Sequence, residues 1–302
     1  MIYHWTFQQF RLFEAVARLQ SYTRAAEELC LTQPAVHIQV KRLEESMGLP
    51  LIEVVGKKIL LTHAGEEVYA AALALRSRLL ALSSTLTDIK GKVAGRLHIG
   101  VVTTAQFFTP HFLGQFLRDY PDVRPLLKVA NREQIIERLS ANEDDLVIMG
   151  QVPANIALSV HPFMDNILEP IAHPDHPMAG KRGISLETFA AERFLMRESG
   201  SGTRSATERL FAQHGLKPSI YMELGSSESI KQAVMAGLGV SVQSTSSLAL
   251  ELETGRIVTL NVVGFPLRRM WHAVHLKGKH LSLTAATFLE YLVREGPKFG
   301  IR

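Results

Sequence analysis

The stretch TRAAEELCLTQPAVHIQVKRLEESMGLPLIEVVGKKILLTHAG, residues 23–65, decides how the N-terminal part of this chain folds. At its centre is Gln33-Pro34, where proline suits the first turn of a helix because the N–H it lacks would have no partner there. From that start Val36, Val40 and Leu43 recur at helical spacing as a stripe to be buried, leaving Gln33, His37, Ile38, Lys41 and Arg42 largely outward. Upstream, Ser21 and Thr23 offer capping side chains to a short helix over 24–29, and only Leu31 and Thr32 separate it from the next. Two short helices with so brief a turn form a helix-turn-helix. Further upstream, Phe10, Phe13, Val16, Ala17 and Leu19 give a first amphipathic helix. Downstream of Gly48, residues 50–62 read as two short strands around a Gly56-Lys57-Lys58 tip, a basic wing beside the helix pair.

Beyond the wing comes the clearest period in the chain. Val68, Leu75, Leu82 and Ile89 follow at seven-residue steps, with Ala72, Leu79, Leu86 and Val93 offset by four. Such a seam predicts a long helix over 63–93 that pairs with a partner copy, because alone it would leave a dry stripe in water; a helix packed on its own domain is the alternative. After Gly91 and Gly95, strands over 97–102, 126–129 and 145–149 alternate with helices over 107–120 and 132–140, which predicts a parallel sheet flanked by helices. Residues 161–177, rich in Pro and His, interrupt the alternation. A second set follows, with strands over 194–197, 220–224 and 240–243 and helices over 203–214 and 227–236. The last strand and helix, 270–276 and 283–294, hold too little material for a unit of their own and are expected to fold back onto the first set.

At 302 residues the chain is long enough for two or three folded units. With 46% hydrophobic and 21% charged residues it has a globular composition. No run of about 18 apolar residues offers a membrane span. The start, MIYHWTFQQF, lacks the segments of a signal peptide, so a cytoplasmic location and no membrane partner are expected. The single cysteine, Cys30, excludes an internal disulfide framework and reads as a half-buried filler in a helix. A net charge of +4 is compatible with a polyanionic partner, yet residues 1–62 hold seven basic side chains against six acidic ones, so the case for DNA rests on pattern and placement. No Ser/His/Asp triad or paired-carboxylate site can be argued from spacing, and the chain is read as no enzyme, with no cofactor and no metal. His173-Pro174-Asp175-His176 is a proline-punctuated surface crossover without the geometry of a closed metal site. Gly237-Leu238-Gly239 lacks the third glycine of a dinucleotide fingerprint.

The run 23–65 resembles the DNA-binding module of the LysR-type transcriptional regulators. Further along, DLVIMGQVP (145–153), HPDHPMAG (173–180), RESGSGTR (197–204) and LGSSESIKQAVMAGLGVSVQS (224–244) resemble the effector domain of that family, closest to its CbbR-type subgroup, which controls carbon-fixation operons. The resemblance implies an α/β architecture in three parts: a winged helix-turn-helix over 1–62, a dimerising linker helix over 63–93, and an effector-binding domain over 94–302. That last domain would have two lobes like those of periplasmic binding proteins, lobe I being 94–163 with 268–302 and lobe II 164–267, and the whole would assemble as a homodimer and homotetramer. It implies a regulator that binds double-stranded promoter DNA, contacts RNA polymerase and answers to a small anionic effector, a phosphorylated metabolite or an organic acid. Two other readings stand beside it: a LysR-type regulator of another metabolic operon sensing a different organic acid, and a cytoplasmic small-molecule-binding α/β protein without specific DNA recognition. His37 and Ile38 stand where relatives commonly carry Ser and Arg, and Val54-Val55 replaces a more polar approach to the wing.

A recognition helix reads base edges in the major groove while phosphate contacts fix its register. Gln33 suits a bidentate pair with adenine, or a cap at the helix start. His37 can make one base-edge bond, and Ile38 or Ala35 can pack on a thymine methyl group. Lys41, Lys57 and Lys58 suit phosphates, with Thr32 as a hydroxyl donor at the helix N-terminus beside Pro34, and Arg42 on the same outward face. In the second part of the chain, ligand is expected between lobes at the carboxyl ends of parallel strands. Thr103 and Thr104 end one such strand. Ser199, Gly200, Ser201, Gly202, Thr203 and Arg204 open a helix there, where glycines let backbone N–H groups approach an anion and Arg204 or Arg197 supplies the countercharge. Gln151 and Ser226 are further lining candidates.

Overall fold

The structure, a computed structural model describing residues 5–56, 58–88 and 91–299, divides into the units Met1–Ser83 and Ser84–Arg302. In the first unit α1 (Phe7–Leu19), α2 (Tyr22–Glu28) and α3 (Gln33–Met47) are each started by a hydroxyl, with Thr6, Ser21 and Thr32 accepting the N–H of Gln9, Arg24 and Ala35. These oxygens satisfy donors that the first turn of a helix leaves without partners. The α2 helix begins and ends earlier than expected, so the turn before α3 holds residues 29–32. It passes through Cys30 at φ 55° with the thiol exposed, which corrects the reading of a half-buried helical filler. Left-handed backbone there carries the chain out of α2 before it can enter α3. The stripe Val36, Val40 and Leu43 is fully buried against Leu12, Phe13, Val16, Ala25, Ala26 and Leu51.

The wing is the antiparallel pair β1 (Ile52–Val55) and β2 (Lys58–Leu61), with Val55 opposite Lys58. It is tied to α3 by one buried carboxylate. Glu44 Oε1 accepts the N–H of Leu51 at 2.8 Å and of Ile52 at 3.0 Å, while its Oε2 accepts from Lys41 Nζ at 2.7 Å. Burial works against ionisation of Glu44, but Lys41 and the two backbone N–H groups outweigh it and hold the carboxyl below its ordinary range.

The long helix is α4 (His63–Asp88), and its expected seam divides in two. Ala64, Val68 and Tyr69 pack on the core of their own unit, and a Cβ on Gly65 would come within 2.0 Å of the Leu51 carbonyl, so glycine permits the close approach. Leu75, Leu79 and Leu82 instead stand 42%, 44% and 53% exposed. The helix is described as far as Asp88 and does not reach residue 93; Val93 is non-helical and packs on the core of the second unit. Ile89 and the Leu86 side chain lie outside the described residues.

In the second unit β3 (Gly95–Val102), a 3-10 turn over Thr103–Phe107, α5 (Thr109–Asp119), β4 (Val123–Ala130), α6 (Arg132–Ser140) and β5 (Leu146–Met149) follow the expected alternation, with β3 parallel to both β4 and β5. The interruption expected over 161–177 is instead occupied largely by β6 (Leu158–Ala172), a continuous 15-residue strand. Then come α7 (Leu186–Ala190), β7 (Phe194–Arg197), α8 (Gly202–Gln213), β8 (Ile220–Leu224), α9 (Ser227–Met235), β9 (Ser241–Ser244), α10 (Ala249–Glu253) and β10 (Val258–Thr259). The chain returns through β11 (Leu267–Leu276) to α11 (Leu283–Glu295), whose Ala285 and Phe288 join the first core as expected.

The main sheet runs β10-β6-β11-β5-β3-β4, with β9 also on β6. It is mixed where a parallel sheet was expected, since β11 runs antiparallel to β5 and β6, and β6 antiparallel to β9 and β10. β7 and β8 form a separate parallel pair. One core gathers Phe108, Phe112, Phe116, Trp271 and Phe288; a second gathers Phe189, Phe194 and Phe211, with Leu195, Ile230 and Val234 in a third beside it. These are two lobes, and β6 and β11 pass through both. Beyond β6, the Nδ1 atoms of His173 and His176 accept the N–H of Asp175 and Met178 at 3.1 and 3.2 Å, bracing a turn.

Losing the Glu44 carboxylate strands two backbone N–H groups and Lys41, so Glu44→Ala is expected to cost about 2–3 kcal/mol at neutral pH. Because the folded carboxyl titrates below its ordinary range, its contribution is present above that range and lost as pH falls through the folded value. Denaturant melts from pH 7 to 3 should show the decline in the parent chain and a flatter profile in Glu44→Gln.

Candidate functional site

The outward side of α3 is a continuous polar and apolar strip. Thr32, Gln33, Pro34, His37, Ile38, Lys41 and Arg42 are exposed and Ala35 half-buried, so the structure brings the expected reading residues to one face. Thr32 caps α3, which frees Gln33 from that alternative; the Thr32 oxygen accepts from Ala35 at 3.4 Å and its hydroxyl proton stays available. Lys41 is partly committed, through its ion pair with Glu44. Lys58 stands exposed at the start of β2, and Lys57 lies outside the described residues.

The second candidate site is a cleft between the lobes of the second unit. Strand ends supply its walls: Thr103 and Thr104 after β3, Gly150 and Gln151 after β5, and Glu198 after β7. The start of α8 supplies Ser201, Gly202 and Thr203, and the crossing strands supply Asn166, Arg269 and Trp271. No side-chain hydrogen bond caps α8, so the N–H groups of its first turn, at the positive end of the helix dipole, meet the cleft uncompeted.

Charge inside the cleft is unbalanced. Arg269 donates to the Gly202 carbonyl at 3.0 Å and the Gly150 carbonyl at 2.9 Å, one from each lobe, and Arg132 donates to the Gln151 carbonyl at 3.3 Å. Neither guanidinium has a carboxylate partner among the described residues. Burial, then the fields of Arg209 and Arg132, pulls Arg269 below its ordinary range, and burial does the same to Arg132. Both remain cations at any working pH. At the floor, Asn166 accepts from Ser244 at 3.0 Å, its amide nitrogen lies where a Cβ on Gly150 would come within 2.6 Å, and the buried Trp271 Nε1 has no partner among the described residues. An acceptor-rich anion is the ligand chemistry that complements such walls.

The cleft collects Thr103, Thr104, Gln151, Arg197, Ser201, Gly202 and Thr203 from the expected set, but assigns the countercharge elsewhere. Arg204 is bound to Glu208 at 2.7 Å and Glu223 at 2.5 Å and donates to the Arg197 carbonyl, so it braces lobe II. Arg197, 2% exposed, is held by both oxygens of Glu198 at 2.7 Å and donates to Ser227 and Thr103. Ser199 is exposed, Gly200 turns the chain at φ 84°, and Ser226 caps α9; none of the three lines the cleft. Sequence reasoning missed Arg132, Asn166 and Arg269. Arg132 carried a usable signal, since it opens a helix at the carboxyl end of a parallel strand; Arg269 carried none, because nothing local marks which arginine of a strand faces a cleft.

Residues 7–66 match the bacterial regulatory helix-turn-helix of the lysR family, and residues 90–297 the LysR substrate binding domain. The RuBisCO operon transcriptional regulator of Allochromatium vinosum is 46% identical over 299 residues, 99% of each chain. The HTH-type transcriptional activator CmpR of Synechocystis is 45% identical over 287 residues, 95% of this chain and 94% of that one. Among solved structures, the Synechocystis CcmR regulatory domain in complex with 2-PG is 44% identical with a TM-score of 0.66, covering 68% of this chain and 99% of that domain.

The two classes of arginine should separate in a thermal melt without ligand. Arg204→Ala removes two ion pairs and a carbonyl contact and is expected to destabilise by about 1–3 kcal/mol, whereas Arg132→Ala relieves a like-charge field and should change stability by less than about 0.5 kcal/mol.

Proposed function

The chain belongs to the LysR family of transcriptional regulators, and on that premise we propose that it controls a carbon-fixation operon in response to a small phosphorylated acid. The observation that carries the effector reading is Arg132 and Arg269, two cations without acid partners beside the uncapped start of α8. A compact dianion brings the charge and acceptors those groups lack, and 2-phosphoglycolate, held by the CcmR regulatory domain, is a ligand of that class. The names of the relatives, RuBisCO operon regulators among them, support the choice of operon.

On the DNA side, Gln33, His37, Ile38 and Ala35 meet base edges, and Thr32, Arg42 and Lys58 meet phosphates. Leu75, Leu79 and Leu82 on α4 are the stripe that a second copy covers, giving a homodimer and from it a homotetramer. The protein works in the cytoplasm, where it meets promoter DNA and RNA polymerase, and it carries out no catalytic step. No helix among the described residues is long and apolar enough to cross a membrane. Effector acts by binding one arrangement of the lobes more tightly than another, so its differential affinity sets how far the regulator shifts.

Calorimetry on the full chain with 2-phosphoglycolate tests the effector reading. Arg132→Ala and Arg269→Gln should each weaken binding by about 2–5 kcal/mol, while Ser199→Ala leaves it unchanged; binding indifferent to both arginines would sink the assignment. Gel shifts at rising salt test the DNA reading. Gln33→Ala should relax sequence preference at a cost of about 1–3 kcal/mol, and Lys58→Ala should weaken all sequences about equally.

A further inference from the structure

Among the exposed residues of α3, His37 is distinguished by a ring that packs against it at a tilt from a different helix. Tyr22, the first residue of α2, lies with its ring centroid 5.1 Å from that of His37 and the two planes inclined by 55°. That separation is within the range where aromatic pairs attract. The tyrosine is itself fixed: half-buried, it packs against the core that contains Val36 and Val40. Burial, and then the charge of Glu44, lifts its hydroxyl to about 12, so the ring stays neutral throughout the working range. Glu44 is in turn held by the Leu51 and Ile52 N–H groups at the start of the wing.

An exposed imidazole on a helix has two free torsions, and a base edge accepts it in only one orientation. Ordering it at the moment of contact subtracts from the discrimination the contact provides. A rigid ring already packed on it reduces that loss. We propose that Tyr22 is a positioning residue for base reading, which touches no base itself but holds the His37 imidazole in the orientation that reads the duplex. The proposal rests on the reading of α3 as the DNA-reading helix. It also accounts for how a histidine serves at a position where the backbone alone would leave it mobile.

The test is a binding selection by the full-length chain from a randomised duplex library, which gives base preference position by position. His37→Ala should erase preference at one position per half-site and Gln33→Ala at another. Tyr22→Leu, which keeps an apolar volume but no ring, should reduce the His37-dependent preference about tenfold and spare the Gln33-dependent one. Tyr22→Phe should retain both, and in a His37→Ala background Tyr22→Leu and Tyr22→Phe should be indistinguishable. Low-salt binding to unrelated duplex reports that each variant is folded, and a general role in stability would move both positions together. Retained preference in Tyr22→Leu, or equal loss in Tyr22→Phe, overturns the proposal. If His37→Ala changes nothing while Gln33→Ala does, the proposal falls and α3 remains the reader; if neither has an effect, the reading of α3 itself is wrong.

Discussion

The ladder between β6 and β11 is the constraint on which the effector unit depends. Ten residues of β11 pair with β6, from Leu267 opposite Leu168 to Leu276 opposite Leu158, and the ladder passes from one hydrophobic core to the other. Two adjacent strands can twist against each other while keeping their hydrogen bonds, so the lobes can change their angle without either core being opened. Side chains then bias that angle. Arg197 reaches from lobe II to Thr103 of lobe I at 3.0 Å, Lys231 Nζ lies 4.7 Å over the Phe107 ring, and Arg269 holds a carbonyl of each lobe. An anion drawn to Arg269 therefore acts on a residue that already touches both halves.

The arginines in and around the cleft fall into two classes. Arg204 and Arg197 have their charges met by Glu208, Glu223 and Glu198, and serve the fold. Arg132 and Arg269 are desolvated without such partners among the described residues, an arrangement that costs stability. The same residue type in one sheet-and-helix framework thus takes two roles, divided by the position of nearby carboxylates.

In the first unit, buried carboxylates organise what the apolar core cannot. Glu44 orients the wing on α3, and Glu14, 5% exposed, receives Arg18 at 3.1 Å and Arg76 at 3.0 Å, joining α1 to α4. A hydrophobic core is indifferent to small rotations of its elements; a charged hydrogen bond is not. Reading DNA requires the helix and the wing at a fixed separation, and these acids supply the directional part.

Local regularity is what the sequence by itself determined. The Ser21 cap, the stripe Val36-Val40-Leu43, the heptad leucines and the alternations over 97–149 and 194–243 each express a local signal within a few turns of chain, and the structure places helices and strands where those signals lie. The starts of β3-linked and α8-linked loops were legible for the same reason: glycines and hydroxyls at a strand end constrain the backbone locally. What tertiary structure alone decided were pairings between distant segments. β6 looked like an interruption because prolines suppress a strand signal, and Pro162 is tolerated beside the register shift between Trp271 and His272, a partner more than a hundred residues away. Arg204 and Arg269 are not told apart by the sequence around them, since whether a guanidinium meets a carboxylate, a carbonyl or an open cleft depends on which remote strand the fold brings beside it.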